Sequence, residues 1–326
     1  MSNLENPRGL AWGPDGALYV AETGTTEVNG PCAPLARGQN CYSGTGAVSR
    51  LRNGVQERVL TGLPSAINPV NGDLSGPHHI SFDSRGAAAI TIGWGGEPAA
   101  RAVLGELGQL FGTLIMVEPN GEWRVADVAA YEQANNPDGQ GIDSNPYGVL
   151  AERNRRFVTD AGGNSLLEVR PNGAISLVAT FPTIPVPPES PFNPPFGESQ
   201  AVPTQVRRGP GNALYVSLLT GVPFLPGAAG IYRVVPNQPP QLFAGFTQIT
   251  DFTFAPDGSG YLVQYGSGPF LSGPGALIHI ARDGTRTTIT MDLENPTGVT
   301  VGPDGAVYVA HRHTVPGGGE VVRIVP

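Results

Sequence analysis

The sequence predicts an all-β protein: a six-bladed β-propeller with four-stranded blades, forming a single domain over residues 1–326. Three observations predict this fold: an internal repeat that occurs six times, a turn signal inside each copy, and a composition with 46 Gly, 33 Pro and only 14% charged residues. Abundant glycine and proline with few charges favour short strands joined by turns over long amphipathic helices. Closed β architectures of this length are commonly one domain.

The repeat is clearest at the two ends of the chain. Residues 7–22, PRGLAWGPDGALYVAE, return at residues 296–311 as PTGVTVGPDGAVYVAH, and weaker copies begin at Pro77, Pro146, Pro203 and Ile249. Each copy has two apolar or alternating runs around a Pro-Asp-Gly-type turn, which predicts a β-hairpin. Second hairpins are expected to turn at Asn53-Gly54, Asn120-Gly121, Asn172-Gly173, near Asn237, and at Asp283-Gly284. Four strands in each of six copies indicate an NHL-like propeller.

The sixth blade is predicted to be incomplete. Its third strand, Glu320–Val325, is followed only by Pro326, and only residues 1–4 precede the first repeat. Either an upstream closing strand lies outside this chain or the sixth blade has three strands. An open edge there could accept a strand from another molecule.

Long loops are predicted at one end of the propeller, and tight turns at the other. Loops of this length on a compact domain usually have a function, so this end is the predicted functional face. The long loops are Thr23–Thr45, Pro64–Gly76, Gly93–Phe111, Ala130–Asn145, Pro182–Val202, Leu218–Ala229 and His311–Gly319. Residues 182–196 carry seven prolines, which predicts a stiff, extended segment over the rim.

Two sets of equivalent positions are predicted to line the rim at this face. At the start of each first strand stand Arg8, His78, Tyr147, Thr204, Thr250 and Thr297. At the end of each second strand stand Glu22, Ile92, Asp160, Leu218, Gln264 and His311. These positions differ from copy to copy, as expected of a site built on a symmetric scaffold, whereas Tyr19 and its equivalents are alike and are predicted to be structural.

The rim residues suggest a hard cation and acid–base chemistry. Oxygen ligands from Glu22 and Asp160, with Gln264 and His311 nearby, suit calcium, or magnesium with more bound water. The alternative is that these side chains cap strand ends and bind neighbouring backbone. His78 and His311 are the candidate catalytic residues, and at most one of His311 and His313 is expected to face the channel.

Composition and motifs exclude several other functions. The net charge is −8 without a basic cluster, which argues against nucleic acid, and the sequence contains no lysine, which excludes Schiff-base chemistry. No apolar run is long enough to span a bilayer, so the chain is not predicted to be transmembrane. No hydrolase or nucleotide-binding motif is present.

The only two cysteines, Cys32 and Cys41, lie in one loop rich in glycine and proline. Two thiols confined to one loop indicate a local disulfide, with two free thiols as the alternative. A disulfide implies an oxidising compartment, so an extracellular or periplasmic location is predicted, although no leader precedes the first repeat.

Several loop motifs resemble the ScyD/ScyE propellers over essentially the whole chain. They are Gly30-Pro31-Cys32 with Cys41-Tyr42, Gly76-Pro77-His78, Ser144–Gly148, Val158–Leu167 and Leu219–Phe224. The resemblance implies an exported propeller associated with the scytonemin gene cluster. More distantly the repeat resembles streptogramin lyase and lactonase-type propellers, which use a rim metal. The lyase pairing of a rim His and a rim Glu within one blade is absent, because His78 stands opposite Ile92 and Glu22 opposite Arg8.

These observations lead to two hypotheses about function. In the first, the channel rim binds a small organic metabolite. If the protein is an enzyme, it transforms that metabolite in a metal-dependent, lactonase- or lyase-like reaction. Arg8, Tyr147, Trp94 and Gln264 would contact that ligand. In the second, the protein is a non-enzymatic module that binds another protein through the loop face or the open sixth-blade edge.

Overall fold

A computed structural model describes residues 1–36, 38–190, 197–236 and 238–326. Within these residues the protein is all-β, as predicted: five four-stranded antiparallel sheets and one three-stranded sheet follow one another along the chain. In each sheet the strands are joined in up-and-down order, since every strand pairs with the previous or next strand of its own repeat. Among the described residues no helix is long and apolar enough to cross a membrane.

The first two repeats contain the insertions that build most of the loop face. Between the two large sheets, a small third sheet is formed by the loop strands in the order β3-β4-β7-β8. The strands are β1 (Pro7–Trp12), β2 (Leu18–Glu22), β3 (Cys32–Leu35), β4 (Gly38–Tyr42), β5 (Gly46–Arg52), β6 (Val55–Leu63), β7 (Ala66–Ile67), β8 (Leu74–Ser75), β9 (Pro77–Phe82), β10 (Ala88–Ile92), β11 (Thr113–Val117) and β12 (Trp123–Asp127). A run of 3₁₀ turns covers Pro98–Gly108, and one α-helix, α1, covers Val128–Asn135.

The remaining repeats are more regular. Their strands are β13 (Pro146–Glu152), β14 (Arg155–Asp160), β15 (Ser165–Val169), β16 (Ile175–Thr180), β17 (Ile184–Pro185), β18 (Glu198–Ser199), β19 (Pro203–Arg208), β20 (Leu214–Leu218), β21 (Ala229–Val234), β22 (Gln241–Phe246), β23 (Ile249–Phe254), β24 (Gly260–Gln264), β25 (Gly275–Ile280), β26 (Arg286–Leu293), β27 (Gly298–Val301), β28 (Val307–His311) and β29 (Glu320–Ile324). A short 3₁₀ turn lies at Pro210–Asn212. The turn expected near Asn237 includes that residue, which lies outside the described part, as do residues 191–196 of the proline-rich loop.

The first strands of the six sheets contact one another in cyclic order, and β27 returns to β1. This is the arrangement of a β-propeller, in which sheets pack face to face around an axis. The predicted structural tyrosines fill the seams between sheets: Tyr19 packs on Phe82 with ring centroids 4.7 Å apart, and Tyr308 packs on Trp12 at 5.2 Å. Equivalent positions in the repeat therefore have the same packing role.

The N-terminal residues cover the free edge of the last sheet. Met1 and Val321 exchange two backbone hydrogen bonds, and Leu4 and Gly319 exchange two more. The Leu4 side chain is fully buried against Leu10 and Val20. Residues 1–4 thus bond to the strand edge that the sequence leaves without a fourth strand.

The long loops form a layer across one end of the propeller. Cys32 and Cys41 face each other across β3 and β4 and form the predicted disulfide. The small sheet joins the neighbouring loop through the Asn40 side chain, which donates to the Trp94 carbonyl at 2.8 Å. That loop in turn pairs Gly96 with Ser144, so loops of successive repeats support one another.

The middle of the channel is filled by polar side chains. The third residue of each repeat is glycine in three copies and a larger polar residue in the other three, in the order Gly9, His79, Gly148, Gln205, Asp251 and Gly298. The His79 ring crosses toward Gly9 and lies 3.7 Å from Asp251, which pairs with Arg207 at 3.2 Å. The His79 side chain therefore helps to fill the middle of the channel.

We predict that Gly9→Ala destabilises the protein by about 1–3 kcal/mol, because overpacking a full interior forces its neighbours to move. A Cβ atom at this position would lie 2.0 Å from Cδ2 of His79. Chemical denaturation measures the change. Gly141→Ala is the matched control, since a Cβ there meets no atom within 4 Å. Equal stability of the two variants would contradict this description of the channel.

Candidate functional site

The site is built around the second residue of each repeat, which stands at or just before the start of the first strand. At four of the six positions the side chain donates a hydrogen bond to the first backbone carbonyl of the next sheet. The pairs are His78 Nδ1 to Pro146 at 3.1 Å, Thr204 to Ile249 at 2.9 Å, Thr250 to Pro296 at 2.8 Å and Thr297 to Pro7 at 2.8 Å. These side chains lock neighbouring sheets together. His78, 2% exposed, performs the role of a threonine, so the structure places it in the scaffold and not in a catalytic position.

Arg8 and Tyr147 are the two exceptions. The carbonyl of Pro77, which Arg8 would be expected to bind, accepts a hydrogen bond from Thr23 at 3.0 Å instead. Arg8 Nη1 donates to the Tyr147 hydroxyl at 3.3 Å, and the Tyr147 ring stacks on His78 with centroids 4.7 Å apart. The structure thus brings Arg8 and Tyr147 into contact, and their role in ligand binding stays a prediction.

The guanidinium of Arg8 lacks the partner that a charge in this setting usually has. It is half-buried, and its Nε atom has no hydrogen-bond partner among the described residues. None of the described carboxylates forms an ion pair with it, although many other arginines have one. A half-buried cation without a counter-ion favours an anion from outside the chain.

Three residues beyond the predicted site residues complete the mouth of the channel. Tyr265 follows β24, and its hydroxyl lies 2.9 Å from Nε2 of His313, which follows β28. Nδ1 of His313 lies 3.0 Å from Oδ1 of Asn6. We call Arg8, Tyr147, Tyr265, His313 and Asn6 the mouth cluster.

Burial and the charge of Arg8 determine the protonation of the mouth. Burial is the main cause that lowers the pKa of His78 to about 3, and the Arg8 charge lowers it further. The same two causes, in the same order, hold the pKa of His313 well below its usual range. Burial raises the pKa of Tyr265 to about 12, although Arg8 acts in the opposite direction. Both histidines are therefore neutral at pH 7, and Arg8 is the cation of the cluster.

Glu22 does not face the rim. Its Oε2 atom accepts the backbone N–H of Glu5 at 2.6 Å and Arg58 Nη2 at 2.8 Å. Its Oε1 atom accepts bonds from Ser49 and Arg58. Ser49 and Arg58 belong to the outer strands β5 and β6, so the carboxylate points along its own sheet. The alternative role, in which it binds neighbouring backbone, is the one that the structure shows.

Asp160 has the same role in the third sheet. Oδ1 accepts the backbone N–H of Asn145 at 2.6 Å and of Gly162 and Gly163 at 3.2 Å, and Oδ2 accepts the Ser144 hydroxyl at 2.7 Å. Burial raises the pKa of Asp160 to about 6 against the effect of these bonds.

A rim cation shared by Glu22 and Asp160 does not fit this geometry, because each carboxylate is fully engaged with its own set of partners. Among the described residues no group of three or more His, Cys, Asp or Glu side chains is arranged to hold a metal ion. A calcium or magnesium ion at the rim stays a prediction from the sequence, which elemental analysis of protein purified without chelator would test.

Three other candidate residues form no hydrogen bond, ion pair or ring contact with the mouth cluster among the described residues. His311 is 8% exposed and lies 3.7 Å from Glu320 on the neighbouring strand β29. Trp94 is fully buried, packs on Phe111 and donates through Nε1 to the Glu97 carbonyl at 3.0 Å. Gln264 is half-buried at the end of β24. Trp94 is therefore part of the core and not a ligand wall.

Strand alternation explains these corrections and points to the missed residues. In β2, Leu18 and Val20 are core residues, so Glu22 on the same strand face is also interior. The mouth begins one or two residues later, where the chain leaves the strand. Arg312, with φ 59°, turns the chain so that His313 enters the mouth while His311 stays inside its sheet. The sequence does contain a signal for two of the missed residues: Tyr265 and His313 are side chains with hydrogen-bonding groups that stand just after strand ends.

Two clefts lie at the opposite, tight-turn end of the propeller. One of about 880 Å³ lies between the fourth and fifth sheets, and one of about 460 Å³ lies between the third and fourth. Neither contains a residue of the mouth cluster. Their arginines are largely engaged within the protein: Arg208 binds Glu152, and Arg286 donates to the Gly245 carbonyl. The mouth is the better candidate for a ligand site, because Arg8 has no carboxylate partner among the described residues.

Comparison with known proteins supports the propeller fold and does not specify the activity. The soluble aldose sugar dehydrogenase of Escherichia coli matches with TM-score 0.58 and 12% identity, covering 100% of this chain and 98% of that chain. Virginiamycin B lyase of Staphylococcus aureus matches with TM-score 0.52 and 13% identity, covering 100% and 87%. A chain of a nidogen/laminin complex matches with TM-score 0.51 and 12% identity, covering 87% and 92%. Identities this low show the fold alone.

No protein-family model matches the chain, and no curated protein matches it. The resemblance to the ScyD/ScyE propellers therefore stays a prediction from the loop motifs.

One buried carboxyl near Asp160 has no hydrogen-bond partner. Glu132 in α1 is 1% exposed, and neither of its oxygens has a partner among the described residues. Burial, followed by the charges of Asp160, Asp138 and Asp143, raises the pKa of Glu132 to about 8. At neutral pH this carboxyl is mainly protonated in the folded protein.

We predict that Glu132 makes folding stability fall as the pH rises from about 4.5 to about 8. In this window the folded state holds a proton that the unfolded chain has lost, so raising the pH favours unfolding. Glu132→Gln cannot titrate; it should flatten the stability profile and be more stable than the wild type above pH 8. Thermal unfolding from pH 4 to 9 measures this, with exposed Glu122→Gln as control. Parallel profiles for the wild type and Glu132→Gln would contradict a neutral Glu132.

Proposed function

We propose that the chain is an exported, six-bladed, NHL-like propeller, with residues 1–4 completing the sixth blade, that binds a small organic anion at the channel mouth. The observation that carries this proposal is the half-buried Arg8 guanidinium, which lacks a carboxylate partner among the described residues. The disulfide between Cys32 and Cys41 supports export, because disulfides persist in oxidising compartments.

The surroundings of Arg8 suit a flat organic ligand. The tilted stack of Tyr147 on His78 offers an aromatic face beside the guanidinium. Such rings bind planar groups through apolar contact and stacking. Below the mouth, His79, Asp251 and Arg207 lie within the channel, so a ligand would bind above them.

The proposal is for binding and not for a defined reaction. The histidines of the mouth are neutral, and each is held by a structural partner, Pro146 for His78 and Asn6 for His313. A metal-dependent lactonase- or lyase-like reaction has no residues assigned to it here. The alternative, in which a partner strand binds the sixth-blade edge, has less support because residues 1–4 already bond to that edge.

We predict that benzoate binds at the mouth and that Arg8→Gln weakens this binding roughly tenfold or more, since a hydrogen bond to a charged group contributes about 1.5–3 kcal/mol. Neutral benzamide should bind weakly to both proteins. Calorimetry or ligand-observed NMR measures the affinities. Arg170→Gln, at a 67% exposed arginine paired with Glu168, is the matched control. Equal benzoate affinity in Arg8→Gln and wild type would refute the proposed function.

A further inference from the structure

The hydrogen-bond chain Asn6–His313–Tyr265 has a fixed direction. Oδ1 of Asn6 is a carbonyl oxygen and can only accept, so Nδ1 of His313 carries the ring proton and donates across 3.0 Å. Burial keeps this imidazole neutral, hence Nε2 is unprotonated and accepts the Tyr265 hydroxyl proton across 2.9 Å. The two inner residues are well shielded, with Asn6 5% and His313 7% exposed.

This direction determines what Tyr265 offers to a ligand. Its hydroxyl proton is committed to His313, so the phenol oxygen presents only lone pairs to the mouth. Tyr265 is half-buried, and its oxygen lies within electrostatic range of Arg8, Tyr147 and Asp73. Tyr265 is therefore an acceptor at the mouth, although a tyrosine hydroxyl can ordinarily act as donor or acceptor.

Arg8 and Tyr147 have the complementary polarity. Arg8 can only donate, and the Tyr147 oxygen accepts one of its N–H groups at 3.3 Å. The Tyr147 hydroxyl proton remains available as a second donor. The mouth cluster thus has two donors, Arg8 and Tyr147, and one acceptor of fixed polarity, Tyr265.

We propose that the mouth selects hydroxycarboxylates: the carboxylate binds Arg8 and Tyr147, and a hydroxyl on a neighbouring carbon donates to the oxygen of Tyr265. Asn6 and His313 are positioning residues, because they set the polarity of Tyr265 without touching the ligand. This inference rests on the proposed function and adds to it the ligand class and the residues that select it.

A pair of probes that differ by one hydroxyl group tests the proposal. Mandelate is phenylacetate with a hydroxyl beside the carboxylate, and both can bind Arg8 through the carboxylate. We expect one mandelate enantiomer to bind roughly fivefold to tenfold more tightly than phenylacetate, the effect of one net hydrogen bond. Isothermal calorimetry on the full chain, with each enantiomer separately, measures the ratio.

Two variants test the direction of the chain. Tyr265→Phe removes the acceptor and should bring the mandelate-to-phenylacetate ratio to about one while phenylacetate affinity stays within about twofold. Asn6→Asp supplies a carboxylate that favours a protonated His313, whose Nε2–H then donates to Tyr265 and frees the phenol proton. The new carboxylate and the protonated imidazole add no net charge, so the informative readout is the ratio, which should also fall to about one.

Tyr308→Phe, at the tight-turn end where its hydroxyl donates to Asp304, is the matched control and should keep the wild-type ratio. Thermal unfolding checks that each variant is folded. If both probes bind, both depend on Arg8 and the wild-type ratio is about one, the proposed function stands and the hydroxycarboxylate inference is overturned. An unchanged ratio in Tyr265→Phe also overturns it. If neither probe binds the wild type, the proposed anion site and this inference both fail.

Discussion

The structure depends on hydrogen bonds that close the ring, each donated from one sheet to the first backbone carbonyl of the next. Four sheets use the second residue of the first strand for this purpose, three of them a threonine and one His78. A buried carbonyl without a partner would be destabilising, so some donor is needed at each seam. Between the first and second sheets the Thr23 hydroxyl donates to the Pro77 carbonyl instead. Arg8 is therefore not needed for this hydrogen bond. The proposed binding mouth is thus a local exception to the hydrogen-bond pattern at the other sheets.

The next residue along the same strands determines how the middle of the channel is filled. Six side chains cannot all point at one axis, and glycine at Gly9, Gly148 and Gly298 leaves room for the larger residues between them. His79 and Asp251 fill that room and carry hydrogen-bonding groups, which keeps the floor polar. The order of small and large residues around the ring is visible in the sequence once the repeats are aligned.

The repeat made the sheets and their order predictable, because both depend on position within a copy, and the two cysteines of one loop made the disulfide predictable. The roles of Glu22, His311 and Trp94 were not predicted correctly. Their side-chain directions follow strand alternation and core packing, whereas the prediction relied on distance along the strand. Tyr265 and His313 lie beyond strand ends, where a left-handed residue such as Arg312 redirects the chain. Such a turn has no simple sequence signal when the residue is not glycine or asparagine.

The buried carboxylates that are not metal ligands still act on the site through the backbone. Glu22 binds the N–H of Glu5, and the adjacent Asn6 accepts the Thr23 N–H through its carbonyl. These bonds hold Asn6 at φ 56°, a left-handed conformation that asparagine tolerates better than most residues. With its backbone held, the Asn6 side chain presents its carbonyl oxygen to His313, and the polarity of Tyr265 follows. A carboxylate facing away from the mouth thus contributes to what the mouth recognises, because it positions the segment on which the hydrogen-bond chain begins.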